Sequence, residues 1–409
     1  RRVGGPTTYE GKDHPVHSDY DYLIIGGGMA ADAAAKGIRE IDASGTIGIV
    51  GEEPTAPFPR PDLSKKLWTD PNHNEADSAL HTQDETHATL HLGVRAQGLD
   101  VDGTTVTTDS GETFGYGRLL IATGGHPRQL PRLEPSARVI YFRTLDHYRR
   151  LRAATAGGPH VAVVGAGFIG SELTSALSQN GCTVTLVHPG EVVGANFLPS
   201  ELAEQYERAF VDAGVTIRAG VLVDSGSSRP TGVELQLSDG SVVAADLAVV
   251  GLGIEPAGAI AGDGGIDRSK DGGIVVDERL STSAPDVYAA GDVAEYPDAI
   301  LGRRRVEHVD NATQMGRTAG RIMAGADEVY DHTPFFYSDV FDIGYEAVGT
   351  LDAELETVVD TQDDGYVVYY LDGDQVVGVL LWNVWDATDQ ARAVIRSGSR
   401  PDSFTGLIT

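Results

Sequence analysis

Apolar runs that end in a glycine turn and continue into a helical stretch occur twice in this chain. The largely apolar run Tyr20–Ile25 leads into Gly26-Gly27-Gly28 and then into the alanine-rich stretch Ala30–Glu40. The run His160–Val164 leads into Gly165-Ala166-Gly167-Phe168-Ile169-Gly170 and a second helical stretch. Buried parallel strands are typically unbroken apolar runs, and a glycine turn lets such a strand enter a helix directly. The pattern therefore predicts two βαβ units.

Further elements follow from the same pattern. Strands are predicted at 46–50, 119–121, 183–187, 246–250 and 286–290, with hairpins in 92–118 and helices near 141–151, 201–213 and 306–323. After about residue 330 the pattern changes to aromatic, alternating strands at 335–337, 366–371 and 376–382, followed by a helix at 387–397. Such alternation is typical of an antiparallel sheet, so this region is predicted to be a separate α+β unit.

The two glycine turns predict nucleotide binding. In Gly165–Gly170 the first glycine permits the sharp turn, Gly167 lets the backbone approach a pyrophosphate, and Gly170 packs helix on strand. The free N–H groups of the helix N-terminus favour that anion. A second such turn at Gly26 and Gly28 indicates a second cofactor, so FAD is predicted at the first turn and NADH at the central one. The predicted fold class is α/β, with two Rossmann-like three-layer nucleotide-binding domains and a C-terminal α+β domain.

Domain limits follow from these elements. They are an FAD-binding domain at 19–133 and 252–330, an NAD-binding domain at 134–251, a C-terminal domain at 331–409, and a disordered arm at 1–18.

Residues at the strand ends refine the cofactors. Glu52, some 20 residues past the first turn, is predicted to bind a ribose hydroxyl. At the equivalent place after the central turn stands His188, with Glu191 three residues later. Because no arginine stands nearby to meet a 2′-phosphate, NADH is favoured and NADPH stays open. Asp292, at the C-terminal end of a predicted strand, is placed to accept a ribitol or ribose hydroxyl.

Composition limits the partners. The net charge is −29, and 26 of the 31 basic residues are arginine. Such an acidic surface repels polyanions, so nucleic acid and anionic membranes are excluded as partners. Adaptation to high salt and a lysine-poor genome explain the charge equally well.

One cysteine, Cys182, excludes an internal redox disulfide. Electrons must then pass from nicotinamide to flavin and directly to an external acceptor: a quinone, oxygen or a small redox protein. The histidines of the polar stretch 69–91 lack metal-ligand spacing, so a solvated loop and no metal site are predicted. No apolar run reaches the roughly 20 residues of a membrane span. A cytoplasmic location is expected, although the chain starts at Arg1 and a leader segment could have been removed.

The order of several motifs resembles the FAD/NAD pyridine-nucleotide reductases related to glutathione reductase. These motifs are Gly26/Gly28, Arg60-Pro61-Asp62-Leu63-Ser64-Lys65, Ala122-Thr123-Gly124, Gly165–Gly170 and Ala290-Gly291-Asp292. Three further segments are more similar to the apoptosis-inducing factor group than to bacterial ferredoxin reductases: 301–308, 316–320, and 337–339 followed by 344–349.

The resemblance implies roles for matching residues. Lys65 and Glu172 would form an ion pair near flavin N5, Phe168 would gate the flavin, and His308 would lie at the flavin–nicotinamide junction. These four are the predicted catalytic residues. The predicted FAD-binding set is Gly26, Gly28, Met29, Ala30, Glu52, Arg60, Lys65, Ala122, Thr123, Gly124, Arg143, Gly291, Asp292, Glu307, His308 and Tyr337. The predicted NAD-binding set is Gly165, Gly167, Phe168, Ile169, Gly170, Glu172, His188, Gly253 and Glu346.

Departures from the group qualify the implied function. Tyr337 stands where the mammalian proteins carry tryptophan, Val309 and Asn311 replace histidines, and the long C-terminal insertion is missing. The implied activity is hydride transfer from NADH to FAD, with a long-lived charge-transfer complex and an NADH-dependent homodimer as further expectations. A ferredoxin or rubredoxin reductase and an NADH-sensing scaffold are the alternatives.

Overall fold

A computed structural model of the chain describes residues 17–409. The first part of this range contains the following elements, in chain order: β1 (His17–Ile25), α1 (Met29–Ile41), β2 (Ile47–Gly51), α2 (Lys66–Thr69), α3 (Thr82–Thr86), β3 (Thr89–Leu92), β4 (Ala96–Asp100), β5 (Thr105–Thr108), β6 (Thr113–Ile121) and β7 (Gly125–Pro127). A single 3₁₀ turn, Arg60–Leu63, precedes α2.

The second part carries the central glycine turn. Its elements are β8 (Val139–Tyr141), α4 (Leu145–Ala154), β9 (His160–Val164), α5 (Phe168–Gln179), β10 (Thr183–Val187), α6 (Ser200–Asp212), β11 (Thr216–Arg218), β12 (Val223–Arg229), β13 (Gly232–Leu237), β14 (Val242–Ala245) and β15 (Leu247–Val250). The third part contains β16 (Ile254–Pro256), α7 (Ala259–Asp263), β17 (Ile274–Val275), β18 (Val287–Ala289), β19 (Ala294–Asp298), β20 (Gly302–Arg305) and α8 (Val309–Met323). The last part contains β21 (Phe335–Val340), β22 (Ile343–Gly349), β23 (Glu356–Thr361), β24 (Tyr366–Asp372), β25 (Gln375–Trp382) and α9 (Thr388–Arg396).

A parallel sheet in the order β3-β2-β1-β6-β18 joins the first and third parts. Strand β18 comes from residues far along the chain and pairs in parallel with the end of β6. Helices α1 and α8 pack tightly on each other, since a Cβ at Gly316 would lie 2.4 Å from the carbonyl oxygen of Ala30 and one at Gly320 would lie 2.0 Å from that of Ala34. The small residues of both helices therefore allow backbone-to-backbone contact beside the sheet.

The second parallel sheet has the order β11-β10-β9-β15-β8. The antiparallel strands β12, β13 and β14 share a hydrophobic core with one of its faces, and the apolar sides of α5 and α6 belong to the core of the other. The short pair β7–β16 marks the two places where the chain passes between the parallel sheets. Three layers result, as predicted for a Rossmann-like unit.

The C-terminal sheet is antiparallel throughout, in the order β21-β22-β25-β24-β23, and α9 packs on it. This arrangement confirms the α+β prediction, and with the two parallel sheets it confirms the predicted fold class. The exact domain limits remain a prediction.

One local expectation fails. The stretch 69–91 is not a solvated loop throughout, because it contains α3 and the edge strand β3. The ring of His91, in β3, lies 4.5 Å from that of Phe114, and its Nε2 hydrogen-bonds the Tyr20 hydroxyl at 2.8 Å. These aromatic contacts hold the segment against the sheet despite its polar composition. The predicted arm at 1–18 lies outside the described residues except for its last two, which belong to β1.

Candidate active site at the junction of three sheets

The first glycine turn is closely enclosed by protein. Gly26 has φ +117°, and a Cβ there would lie 2.1 Å from the carbonyl oxygen of Ala122. Ala122 in turn donates its N–H to Ile25 at 2.7 Å, which joins the ends of β1 and β6. Gly28 caps α1 without any side-chain hydrogen bond, so N–H groups of the first turn are left for another acceptor. A pyrophosphate fits this free helix end.

Charged side chains of the predicted FAD set meet beside this turn. Arg143 forms an ion pair with Asp292 at 2.9 Å, and its buried Nε has no hydrogen-bond partner among the described residues. Arg60 donates to the Arg143 carbonyl at 2.8 Å and pairs with Glu53 at 2.5 Å. Burial and the neighbouring Arg143 lower the pKa of Arg60. The Arg143 Nε and the Asp292 carboxylate are suited to bind polar groups of a dinucleotide.

Other members of the FAD set line the same region. Thr123 donates to the Ala257 carbonyl at 2.8 Å, and Gly124 has φ +63° with its Cβ position 3.5 Å from Arg143. Gly291, with φ +78°, lies against Ala30 in the first turn of α1. Met29 begins α1 and packs partly buried on the core. Glu52 is exposed directly after β2, so its carboxylate is free to meet a ribose.

The central glycine turn is more open. Gly165 has φ +98° and Gly170 packs so closely that a Cβ would lie 1.9 Å from the Gly165 carbonyl oxygen. At Gly167, which caps α5 without a side-chain hydrogen bond, a Cβ would meet nothing within 4 Å. Phe168 and Ile169 are each 37% exposed at the start of α5. A helix end free of side-chain caps, with open space above it, fits a second pyrophosphate.

A largely buried ion pair joins the segment before α2 to helix α5. Lys65, just before α2, bonds Glu172 in the first turns of α5, and the glutamate is 3% exposed. Ser64 donates to the other carboxylate oxygen at 2.5 Å, and Ser338 from β21 donates at 2.7 Å. A buried carboxylate requires such partners, because an unpaired charge in the interior is costly. Glu172 therefore holds, at one point, Ser64 and Lys65 from the segment before α2 and Ser338 from the C-terminal sheet.

Aromatic rings surround this pair. The Lys65 ammonium lies 5.0 Å from the ring centroid of Tyr337, whose pKa burial raises to about 12. Phe168 lies 5.7 Å from His308 and 5.2 Å from Phe336, while His308 stacks on Phe336 at 4.5 Å. Burial lowers the pKa of His308 to about 4. The imidazole is therefore neutral at physiological pH and joins an apolar wall.

The remaining predicted residues lie around this wall or away from it. Glu307, exposed beside His308, pairs with Arg305 at 2.6 Å. Glu346, in β22, has a buried Oε2 without a hydrogen-bond partner among the described residues, and burial raises its pKa. Gly253 has φ +78° with open space around its Cβ position. His188 is 3% exposed, and burial lowers its pKa, so its side chain is enclosed rather than displayed at the end of β10.

Sequence reasoning missed the residues that support the ion pair. Ser64 stood in the quoted motif, directly before Lys65, but received no role; Ser338 and Phe336 flank Tyr337 and also received none. Alternation along β21 could have suggested that Ser338 faces the interior, opposite Tyr337. Only the packing of β21 on α5 shows that this hydroxyl reaches Glu172. Within residues 17–409, no three His, Cys, Asp or Glu side chains come together in a way that could hold a metal ion.

Comparison with known proteins identifies the family. The sequence profile of the pyridine nucleotide-disulphide oxidoreductases matches residues 20–316. A profile of the C-terminal part of apoptosis-inducing factor, mitochondrion-associated, matches residues 319–364. The chain belongs to the pyridine nucleotide-disulphide oxidoreductase family, in a form without the disulfide, since Cys182 is its only cysteine.

Relatives of two kinds are similar over most of the chain. A putative apoptosis-inducing factor 1, mitochondrial, of Drosophila melanogaster is 31% identical and spans 99% of this chain and 67% of the relative. The ferredoxin–NAD(+) reductase component of an anthranilate 1,2-dioxygenase system of Burkholderia cepacia is 32% identical and spans 93% and 95%.

Solved structures agree. A ferredoxin reductase of Rhodopseudomonas palustris superposes with a TM-score of 0.83 at 28% identity, covering 93% of this chain and 95% of the other. Putidaredoxin reductase, in its covalent complex with putidaredoxin, gives a TM-score of 0.85 at 27% identity, covering 93% and 94%.

The class of activity follows from family and site together. The protein is an oxidoreductase that uses FAD and NADH, as predicted, and it resembles apoptosis-inducing factor over its full sequence. None of the helices formed by residues 17–409 has both the length and the apolar character that a bilayer crossing requires.

Proposed function

We propose that the protein transfers hydride from NADH to FAD at the wall formed by Phe168 and His308, and delivers the electrons to a small external redox protein. FAD, when bound, supplies the ring that accepts hydride and releases electrons singly. The single observation that carries the proposal is the buried Lys65–Glu172 pair, held by Ser64 and Ser338 between the two nucleotide turns. No step involves a disulfide.

FAD is held, in this proposal, by the enclosed first turn. The free N–H groups at the start of α1 bind the pyrophosphate, and Glu52 binds a ribose hydroxyl. Arg143 uses the Nε that has no partner among residues 17–409, while Asp292 orients its guanidinium. These contacts are built from packed backbone and a partly buried ion pair, so the cofactor stays resident.

NADH binds, in this proposal, at the open central turn. The start of α5 takes its pyrophosphate, and Phe168 covers the nicotinamide from the solvent side. Glu346, whose buried Oε2 has no hydrogen-bond partner in the described part of the chain, accepts a hydrogen bond from the carboxamide. Lys65 places positive charge where negative charge develops, and Glu172 fixes that ammonium in position.

Two similar proteins support a small redox protein as the acceptor, because each is named as a ferredoxin reductase. The similarity to each covers 93% of this chain and 95% of the other protein. A suitable test is NADH-dependent reduction of cytochrome c with and without an added [2Fe–2S] ferredoxin. We expect reduction to require the ferredoxin. Equal rates in its absence would show that electrons leave by another route, such as a quinone or oxygen.

A second candidate is favoured by the match to the C-terminal part of apoptosis-inducing factor. In it the reduced protein persists with NAD⁺ bound and dimerises. Anaerobic titration with NADH, followed at long wavelength, and size exclusion with and without NADH test both features. Fast reoxidation in air and an unchanged elution volume would exclude it.

Two further predictions from the sequence need their own tests. The cytoplasmic location stays a prediction that cell fractionation tests. Preference for NADH over NADPH is tested by comparing the rates at which the two coenzymes reduce the flavin.

A further inference from the structure

The one-turn helix α2, which directly follows Lys65, is fastened to the outer end of α5. The backbone N–H groups of Trp68 and Thr69 donate to the Lys65 carbonyl at 2.9 and 3.2 Å, so the position of α2 fixes the backbone of Lys65. Leu67 and Trp68 are both 5% exposed and belong to the same hydrophobic cluster as α4 and α5. Whatever holds α2 also determines where the Lys65 side chain starts.

Two side chains hold the carbonyl groups of α2. The hydroxyl of Tyr148, in α4, donates to the Leu67 carbonyl at 3.1 Å. The amide of Asn180, which caps the C-terminus of α5, donates to the Trp68 carbonyl at 3.1 Å. Both carbonyls lie in the last turn of a helix too short to satisfy them itself.

Asn180 is fully committed to this arrangement. Its Nδ2 also donates to the Ala176 carbonyl at 2.8 Å, and its Oδ1 accepts from Arg152 at 2.6 Å. Two carbonyl acceptors on one side and a guanidinium donor on the other define the amide orientation uniquely. Arg152 in turn lies 4.9 Å from the Trp68 ring. One side chain thus connects α4, α5 and α2.

The same helix carries the other half of the ion pair. Glu172 and Asn180 are eight residues apart on α5, about 12 Å along its axis. Lys65 is therefore attached to α5 twice: directly through Glu172, and indirectly through α2 and Asn180. Either attachment alone leaves the long lysine side chain several rotamers, whereas both together define one position.

We propose that Tyr148 and Asn180 are positioning residues, which hold α2 so that the Lys65 ammonium stays on Glu172 beside the flavin-binding region. The inference rests on the role proposed above for the Lys65–Glu172 pair. Neither residue touches that pair. Their effect passes through the backbone of Lys65.

The test uses two conservative variants of the FAD-loaded protein. Tyr148→Phe removes only the hydroxyl, and Asn180→Asp keeps the acceptor for Arg152 while removing the donor to Trp68. Hydrogen exchange at residues 66–69 should be faster by about tenfold, the factor that one lost hydrogen bond gives. The flavin midpoint potential should move in the same direction as in Lys65→Gln, and the limiting rate of flavin reduction should fall several-fold at unchanged apparent affinity for NADH.

A matched control is Arg149→Gln. Arg149 also lies in α4 and pairs with Glu75 at 2.6 Å, so it ties the same segment to the same helix, but at the surface and further from Lys65. The pair is bidentate, but neither side chain donates to a carbonyl of α2, so exchange at 66–69 and the potential should both stay unchanged.

The outcomes separate the two proposals. Faster exchange without any shift in potential, or no faster exchange in either variant, would overturn the positioning role. If Lys65→Gln shifts the potential and the two variants do not, only the positioning role fails. If Lys65→Gln itself leaves the potential unchanged, the proposed function of the ion pair fails, and the positioning role fails with it.

Discussion

The two glycine turns share one local fold but differ in their surroundings. The first is enclosed: Gly26 touches the backbone of Ala122, and the first turn of α1 is covered by α8. The second is enclosed only from below, through Gly165 and Gly170, whereas Gly167 faces open space and Phe168 is 37% exposed. The same turn can therefore build a permanent cofactor cradle or an entrance, depending on which helix lies above it.

This difference provides a physical argument for the proposed placement of the two cofactors. A resident cofactor needs many fixed contacts, and the first turn offers backbone donors together with the Arg143–Asp292 pair. A substrate must enter and leave in each cycle, which suits an uncovered helix end beside the exposed ring of Phe168. This contrast supports the proposal that FAD binds at the first turn and NADH at the second.

The largest expected effect comes from adding one methyl group at each turn. Gly26→Ala combines a φ of +117° with a backbone contact of 2.1 Å, so we expect a loss of at least about 3 kcal/mol of stability and of bound FAD. Gly167→Ala should keep its stability and FAD but weaken NADH binding at least about tenfold, because its Cβ meets only the space reserved for the nucleotide. Flavin absorbance, thermal unfolding and NADH titration measure these. Equal behaviour of the two variants would remove the contrast.

Next in size is the ion pair that lies between the turns. Glu172→Gln leaves the Lys65 charge without its buried partner, and the expected cost is about 3 kcal/mol in the free energy of unfolding. The double variant Lys65→Gln, Glu172→Gln should recover part of that stability but none of the lost rate of flavin reduction. Denaturant titration measures the stability, and stopped-flow absorbance measures the rate of flavin reduction. Full recovery of the rate in the double variant would contradict a role for the charges.

A smaller effect is expected at the entrance itself. Phe168→Ala removes a ring that contacts His308 and Phe336. We expect a several-fold higher apparent Kd for NADH and faster reoxidation of the reduced flavin by oxygen. Ile169→Ala is a matched control, because Ile169 is the next residue and equally exposed at 37%. Stopped-flow reduction and reoxidation in air provide the measurements. If both variants reoxidise at the same rate, Phe168 does not shield the site.

The smallest expected effect concerns pH. The folded pKa of His308, about 4, lies below its unfolded value of about 6.5, so the unfolded chain binds more protons between these values. The stability that comes from keeping the imidazole neutral is complete above pH 6.5 and is lost as the pH falls toward 4. Relative to pH 8, the loss should reach about 1 kcal/mol at pH 6. Denaturant unfolding of the wild type and His308→Asn over this range should show a difference that changes by that amount. A constant difference would mean that His308 titrates normally.

Much of the fold follows from local pattern. Apolar runs, glycine turns and the later alternation correctly indicated both parallel sheets and the antiparallel C-terminal sheet, because each signal reports which side of a residue is buried. The loop prediction for 69–91 was wrong because β3 is an edge strand with polar residues. Its packing depends on Tyr20 and Phe114, which come from other strands.

The sequence by itself determined the two nucleotide turns, the absence of a redox disulfide and the pairing of Lys65 with Glu172, through motifs whose spacing is local or shared by the family. Tertiary structure alone decided that Ser338 reaches Glu172 and that Asn180 reaches the Trp68 carbonyl, since these partners lie 166 and 112 residues apart along the chain. It also decided which turn is covered and which is open, because the covering helix α8 begins at residue 309. Local chemistry can specify a turn, but only packing decides what lies above it.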